Sequence, residues 1–234
     1  MKKLVLFALM GTAAALTNCS KDETQEVLDT MIAPKITLTF DKDKVEAKGA
    51  KLIIRKPSYN DSEKEAFVDL NGNLRKDDGE GFEINKTYIV TTERVSIVGE
   101  GIEELHFDSQ NLLKAEVTHR YIKKLTSDDV SLKSVVISNA QSLEELDVSS
   151  TDDDYHLAEL LLPEEKQKIA NLKELNLARC TDLNRADVFN RLPDRTGKDP
   201  KGKVKFLAYE GALTGEEEKI LINLNWEAIF GNEP

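Results

Sequence analysis

The sequence is poor in the residues that mark several common classes of protein. Its two cysteines, Cys19 and Cys180, exclude a framework of several disulfide bonds. Its three histidines include no His-x-x-x-His pair, so a zinc site would need distant carboxylates. No stretch reaches the roughly 18 apolar residues that a membrane-spanning helix needs. With 32 Lys and Arg against 43 Asp and Glu, the net charge of -11 argues against nucleic acid as a partner, because phosphate binding needs clustered basic residues.

The chain also lacks the short motifs that carry catalysis in common enzyme families. It has no G-x-S-x-G motif, no glycine loop suited to a phosphate and no Cys-His signature. Acidic pairs such as Asp128-Asp129 are typical of solvated surfaces or helix starts. With 40% hydrophobic and 32% charged residues, the composition is that of a globular protein. We therefore expect a folded protein that is not an enzyme.

The first residues have the pattern of an export signal. Two lysines precede a mostly apolar stretch at positions 4–16, which is too short to span a bilayer. A charged start followed by a short apolar core is typical of a secretory signal peptide. We expect this signal peptide to cover residues 1–18.

The end of this signal resembles the lipobox of bacterial lipoproteins, because it reads Leu-Thr-Asn-Cys. The resemblance implies cleavage before Cys19 and a lipid on its thiol. Asn18 departs from the small residue usual there, and the alternative is an ordinary signal peptide with a cysteine near its end. Residues 19–33 are expected to form the lipid anchor and a polar tether. The Ser-Lys-Asp-Glu after Cys19 is similar to the export tag of Bacteroidota surface lipoproteins, which implies a surface-exposed place on the outer membrane.

The middle of the chain repeats a pattern of the form L-x-x-L-x-L, with apolar residues at the first, fourth and sixth positions. From residue 102, successive copies start 10, 10, 10 and 11 residues apart, and after an interruption at 151–171 the pattern returns once clearly and once more faintly, as Val204-Leu207-Tyr209. Ala115 and Ser127 weaken two of the copies. The copies are Ile102-Leu105-Phe107, Leu112-Ala115-Val117, Ile122-Leu125-Ser127, Leu132-Val135-Ile137, Leu143-Leu146-Val148 and Leu172-Leu175-Leu177.

This spacing predicts a solenoid. A short strand places the fourth and sixth positions on one face, and stacked copies bury a continuous apolar core. Two half-turns of 10 to 11 residues make one coil of about 20 residues, which is the short end of leucine-rich repeats. The alternative is a plain β-meander, because a spacing near ten residues also suits a β-sandwich.

Two copies resemble a known family more closely than the others. Residues 143–150 read LEELDVSS and residues 172–183 read LKELNLARCTDL, and both are similar to internalin-type leucine-rich repeats. The resemblance covers residues 102–148 and the second segment. It implies an α/β fold, which we expect to be a short degenerate leucine-rich-repeat solenoid over residues 101–234, with a helical insertion and a C-terminal cap.

The C-terminal part carries signals for a helix and for an end cap. Thr214 and Glu217 have the spacing of a capping box at a helix start. Trp226, Ile229 and Phe230 are expected to close the end of the stack, because a terminal repeat must cover an open core.

The segment 34–100 alternates in the manner of strands, and we expect it to form a β-rich N-terminal cap. Within it, residues 69–80 place oxygen-bearing side chains at positions 1, 3, 5, 9 and 12 of a calcium loop, a spacing that lets one loop surround the ion. Leu74 stands at position 6, where such a loop needs glycine. A segment of this form is similar to one found in secreted Bacteroidota repeat proteins, and the alternative is a hairpin turn at Asn71-Gly72 without metal. The predicted calcium ligands are Asp69, Asn71, Asn73, Asp77 and Glu80.

These observations predict a non-catalytic protein-binding or adhesion module on the cell surface, as the family resemblance implies. The expected partner is an unknown protein of a host or neighbouring cell, and the acidic composition favours a basic one. The membrane is contacted through the lipid anchor only. Outward strand residues should form the binding face. They are Glu104, His106, Glu116, Glu145, Asp147, Glu174 and Asn176.

Two other functions stay open from the sequence. A carbohydrate-binding outer-membrane lipoprotein would need exposed aromatic side chains, and the chain has one Trp, five Tyr and eight Phe, most at core-like positions. Tyr59, Tyr155 and Trp226 on one exposed face would favour this function. A packing partner within a larger envelope assembly is the other alternative.

Overall fold

The structure is a computed structural model that describes residues 33–55, 66–83, 85–109, 111–128, 131–150, 156–208 and 210–231. The described residues form fourteen strands, three α-helices and one short 3-10 helix. The strands are β1 (Lys35–Phe40), β2 (Ala50–Arg55), β3 (Phe67–Asp69), β4 (Thr87–Val90), β5 (Arg94–Val98), β6 (Glu104–Ser109), β7 (Leu112–Thr118), β8 (Lys124–Asp128), β9 (Ser134–Ile137), β10 (Glu145–Asp147), β11 (Glu159–Leu161), β12 (Glu174–Asn176), β13 (Gly202–Leu207) and β14 (Trp226–Gly231). The helices are α1 (Lys42–Lys48), α2 (Arg185–Asn190), α3 (Gly215–Asn223) and the 3-10 helix Lys166–Ile169.

The strands lie in two mixed sheets. The six-stranded sheet has the order β11-β9-β7-β1-β5-β3, and the eight-stranded sheet has the order β14-β13-β12-β10-β8-β6-β2-β4. From β6 to β12 the chain enters the two sheets alternately, so that β6 pairs with β8 and β7 pairs with β9, both in parallel. The N-terminal strands β1 and β2 are antiparallel to their neighbours.

This architecture shows that the predicted α/β leucine-rich-repeat solenoid with an N-terminal β-rich cap is wrong. Two large sheets dominate the described structure, and its helices are short. Successive copies of the pattern do enter different sheets, but both sheets are mixed, because antiparallel strands of the N-terminal segment extend each of them. The residues predicted as a separate cap, 34–100, instead belong to the two sheets: β1, β5 and the edge strand β3 complete one, and β2 and the edge strand β4 complete the other. A meander is not formed either, since consecutive strands from β6 to β12 belong to different sheets.

The apolar residues of the repeated pattern form one core with residues of both sheets. Leu105 and Phe107 of the eight-stranded sheet belong to the same buried cluster as Val117 of the six-stranded sheet. Ser127, which replaces an apolar residue in the pattern, is buried as well. The pattern therefore identifies the core, because strand side chains alternate between the interior and the solvent in either sheet.

The C-terminal part closes around Trp226, which is buried as predicted, whereas Ile229 and Phe230 are exposed because they lie on β14, an edge strand of the eight-stranded sheet. Its indole nitrogen donates to the carbonyl of Pro193 at 2.9 Å, and Gly202 lies so close to the ring that a Cβ there would overlap it. The predicted capping box is confirmed at the start of α3, where the Thr214 hydroxyl accepts from the Glu217 amide and the Glu217 carboxylate accepts from the Thr214 amide. This end of the core is therefore covered by β13, α3 and β14.

Candidate functional site

Six of the seven residues predicted to bind a partner lie on one surface of the eight-stranded sheet. They occupy two outward positions on each of β6, β10 and β12, and the inward residue between them is a buried leucine on each strand. Strands β8, β13 and β14 present equivalent positions, because all six strands pair in register. We name these positions the outer face. It consists of Glu104, His106, Lys124, Thr126, Glu145, Asp147, Glu174, Asn176, Lys203, Lys205, Glu227 and Ile229.

The seventh predicted residue, Glu116, does not belong to the outer face. It lies on β7, in the six-stranded sheet. Its carboxylate pairs with Arg94 at 3.2 Å and with Lys114 at 3.1 Å. The alternation of inward and outward residues was predicted correctly here, but the sequence pattern does not distinguish the two sheets.

Lysines compensate much of the negative charge of the outer face. The ammonium group of Lys124 lies 2.8 Å from the carboxylate of Glu145, and that of Lys205 lies 2.8 Å from the carboxylate of Glu174. The hydrogen bond to Glu145 raises the pKa of Lys124, and the hydrogen bond from Lys205 lowers the pKa of Glu174. The face therefore carries five carboxylates against three lysines. The expected attraction for a basic partner is weak at this surface.

A second row of ion pairs borders the outer face at the turns that precede its strands. Lys123 pairs with Glu103 at 3.0 Å, and Lys173 pairs with Glu144 at 2.5 Å. Each pair joins two neighbouring parallel strands, because the residues occupy equivalent positions before β6, β8, β10 and β12. Exposed pairs of this kind contribute about 0.2–1 kcal/mol each to stability.

Side-chain hydrogen bonds hold the centre of the outer face in one arrangement. The amide of Asn176 donates to Asp147 Oδ2 at 3.1 Å and to Ser149 Oγ at 3.1 Å, while its oxygen accepts from the amide of Ala178 at 3.2 Å. The Ser149 hydroxyl donates to Asp147 Oδ1 at 2.6 Å. Ser149 was not among the predicted residues. It lies two residues after Asp147, where strand alternation also predicts an outward side chain. These bonds fix the side chains of Asp147, Ser149 and Asn176 relative to one another.

A shallow depression of about 280 Å³ lies on the outer face at β6 and β8. Glu104, His106, Lys124 and Thr126 line it. A larger depression of about 600 Å³ lies beside β4, where Lys44, Lys48, Lys51 and Ile89 are among the lining residues. Neither depression brings together the side chains of a catalytic constellation among the described residues.

The predicted calcium loop is closed at its base by two buried carboxylates. Asp69 accepts from the backbone amides of Gly72 at 2.8 Å and Leu74 at 3.2 Å. Glu80 accepts from the backbone amide of Leu70 at 2.7 Å. Asp69 and Glu80 are nearly inaccessible, at 1% and 3% exposure. The hydrogen bonds from the backbone amides therefore compensate for the water that their oxygens lose on burial.

Three of the five predicted ligands converge at the exposed end of this loop. The amides of Asn71 and Asn73 donate to the same oxygen of Asp77, at 2.7 Å and 2.6 Å. Leu74 adopts a φ of 61°, so it makes the left-handed turn for which glycine was expected. Within the described part of the chain, no group of three or more His, Cys, Asp or Glu side chains is placed to hold a metal ion. The three carboxylates of the predicted set, Asp69, Asp77 and Glu80, are therefore not placed as such a group.

The histidines lie in three different environments. His106 is on the outer face, and His156 Nδ1 lies 2.9 Å from a carboxylate oxygen of Asp182 at the surface. His119 is fully buried, and its Nε2 donates to the carbonyl of Gly99 at 2.6 Å. Burial lowers the pKa of His119. The three imidazoles therefore form no common site.

Cys180 is buried and packs as a small apolar core residue. Its thiol donates to the carbonyl of Val148 at 3.3 Å, and burial raises its pKa far above the ordinary value. It is therefore a poor nucleophile. The other cysteine, Cys19, lies outside the described residues, and so do the predicted signal peptide and almost all of the predicted tether.

The aromatic residues named for a carbohydrate site do not meet on one exposed face within the described residues. Trp226 is only 2% exposed. Tyr59 and Tyr155 lie outside the described residues. Stacking of a sugar on Trp226 would require the end of the core to open, so Trp226 is not an exposed sugar platform.

Comparison of the chain with models of protein families, with curated proteins and with solved structures finds no match in any of the three. The resemblance to internalin-type repeats therefore stays a prediction. None of the helices in the described ranges is long and apolar enough to cross a membrane.

Proposed function

We propose that this protein is a non-catalytic protein-binding module, held at the bacterial cell surface by a lipid on Cys19, and that its outer face contacts the partner. One observation carries the proposal. The outward residues predicted on β6, β10 and β12 stand side by side in two in-register rows of a single sheet. Six parallel strands about 4.8 Å apart make these rows about 24 Å long, which suits an extended contact with another protein.

The chemistry of the outer face favours a partner that forms hydrogen bonds with its polar side chains. Lys124 and Lys205 each neutralise a carboxylate of a neighbouring strand, so net charge gives little attraction. The bonds between Asp147, Ser149 and Asn176 reduce the side-chain entropy that binding would cost. We therefore expect a polar protein surface as the partner, with only modest weakening of binding by salt.

A pair of charge reversals tests the proposal with a matched control. Glu104→Lys changes the outer face, whereas Glu116→Lys makes the same change on the six-stranded sheet. Attachment of cells that display each variant to host or neighbouring bacterial cells is compared with wild type. We expect Glu104→Lys to reduce attachment at least tenfold, which corresponds to about 1.4 kcal/mol, and Glu116→Lys to leave it unchanged. Equal attachment by the two variants would refute the outer face as the binding surface.

We propose as a second function that residues 69–80 bind calcium. The support is specific to this loop, because Leu74 already makes the left-handed turn and Asn71, Asn73 and Asp77 converge at one point. Calcium would supply charge neutralisation there, with rotation of the two amides presenting their oxygens to the ion. Calorimetric titration of the chain with calcium chloride tests this function directly. Heat of binding at a stoichiometry near one supports it, and absence of heat rejects it.

A further inference from the structure

The two sheets of the described structure end in four edge strands, and β14 is the longest of them. Strands β3 and β11 have three residues each, β4 has four and β14 has six. Strand β14 pairs with β13 along its whole length. Among the described residues, no strand pairs with its other side. An edge of this kind presents backbone donors and acceptors that can pair with another strand.

The side chains of β14 do not protect this edge. Natural edge strands carry lysine, proline or bulges that prevent pairing, whereas β14 reads Trp-Glu-Ala-Ile-Phe-Gly and pairs with β13 in continuous register. Ile229 and Phe230 are exposed at 38% and 42%, and Ile222 of the adjacent helix α3 is exposed at 74%. Three of the five exposed large apolar residues in the described structure therefore lie at this end of the eight-stranded sheet.

From these observations we propose that β14 is a dimerisation edge, where a second copy of the same chain adds its own β14 in antiparallel orientation. A two-fold axis perpendicular to the sheet then joins two eight-stranded sheets into one. Such an axis requires opposed residues to share a face of the sheet. Strand β14 meets this requirement when the axis passes beside Ile229, so that Ile229 of each copy opposes Ile229 of the other.

The strand is complementary to itself in this register, which argues for a second copy as the occupant. Ala228 opposes Phe230 of the second copy on the inner face. Glu227 opposes Gly231 of the second copy on the outer face, so no carboxylate faces another carboxylate. Apolar pairs opposite each other stabilise antiparallel strands, and like charges would destabilise them.

The contact is small, so the dimer is weak. Two six-residue strands bury less than the about 800 Å² per partner of a standard interface. We expect a dissociation constant of roughly 10 μM to 1 mM, corresponding to about 4 to 7 kcal/mol of binding free energy. The chain is monomeric at low concentration and dimeric at high concentration.

Sedimentation equilibrium of residues 20–234, which include every described strand and helix, tests the dimer between about 10 and 500 μM. Ile229→Lys places a charge at the centre of the edge. The control is Ile89→Lys, the same change at an exposed residue of β4, the opposite edge of the same sheet. Circular dichroism and a thermal melt at low concentration establish that both variants are folded.

We expect the mean mass of wild type and Ile89→Lys to rise toward twice that of the monomer, while Ile229→Lys stays monomeric at every concentration. The proposal is overturned if wild type stays monomeric over the whole range. It is also overturned if Ile229→Lys associates as wild type does, if Ile89→Lys abolishes association, or if the mass rises beyond that of a dimer.

Discussion

The imidazole of His119 donates to the carbonyl oxygen of Gly99 at 2.6 Å inside the core. Burial lowers the pKa of His119 below its ordinary value of 6.5, against the opposing effects of the hydrogen bond to Gly99 and of the nearby Glu100 carboxylate. The neutral ring is therefore the form that the folded protein contains, because a protonated ring would place a poorly solvated charge in the core.

This relationship predicts a loss of stability in mild acid. In the unfolded chain His119 binds a proton near pH 6.5, whereas burial in the folded protein lowers the pKa at which it does so. The stabilisation is complete above pH 6.5 and is lost as the pH falls toward the lowered pKa of the folded state. We expect the free energy of unfolding in urea to fall more steeply between about pH 7.5 and 5 for wild type than for His119→Gln, which does not titrate.

Comparison of these two proteins isolates the histidine, because all carboxylates titrate in both. His119→Gln should be less stable at pH 7.5 by about 1–3 kcal/mol, the cost of disturbing a buried hydrogen bond, and the gap should narrow at pH 5. A gap that stays constant across this range would show that His119 is not responsible for acid sensitivity.

The contact between Gly202 and Trp226 predicts that one methyl group added at position 202 destabilises the folded protein. A Cβ at position 202 would overlap the indole ring, which the hydrogen bond to Pro193 holds in place. We expect Gly202→Ala to lower the free energy of unfolding by about 1–3 kcal/mol, as overpacking of a filled core does. The control is Gly215→Ala, where a Cβ has no neighbour within 4 Å. Equal urea midpoints for the two variants would contradict this account of the end of the core.

The sequence predicted the core and the outward residues well, because both follow from strand alternation. Leu105, Leu146 and Leu175 are buried, and the residues on either side of each lie on the outer face. The capping box at Thr214 was also predictable, since it is a local pattern of side chains and backbone amides. Strand alternation and the capping box were therefore interpreted correctly from a few consecutive residues, whereas the calcium loop and the lipid attachment at Cys19 stay predictions.

The arrangement of the sheets depends on pairings between distant residues, and the repeated pattern does not indicate which strands pair. Glu116 has the same alternation as Glu145 but lies in the other sheet. Strand β1 pairs with β7, about eighty residues later, and such a pairing cannot be read from periodicity. The neutralising lysines 124 and 205 were missed for the same reason, because their partners become neighbours only through the register of parallel strands.

The loop of residues 69–80 provides a prediction about metal binding. If calcium binds only the folded loop, its addition stabilises the protein, by about 2.7 kcal/mol when free calcium exceeds the dissociation constant a hundredfold. We expect the melting temperature of residues 20–234 to rise in millimolar calcium relative to a chelator, and to rise much less in magnesium, which requires a stricter octahedral geometry.

Asp77→Asn is the variant that tests this assignment. Asp77 is exposed, so its replacement leaves the core intact, whereas Asp69 and Glu80 are buried and their loss would also damage the fold. The variant removes one negative charge at the point where Asn71 and Asn73 converge. It should lose most of the calcium-dependent shift while keeping the melting temperature of wild type in chelator within a few degrees. An equal shift in both proteins would place calcium elsewhere, and no shift in wild type would mean that hydrogen bonds alone hold Asp69 to Glu80 as a hairpin turn.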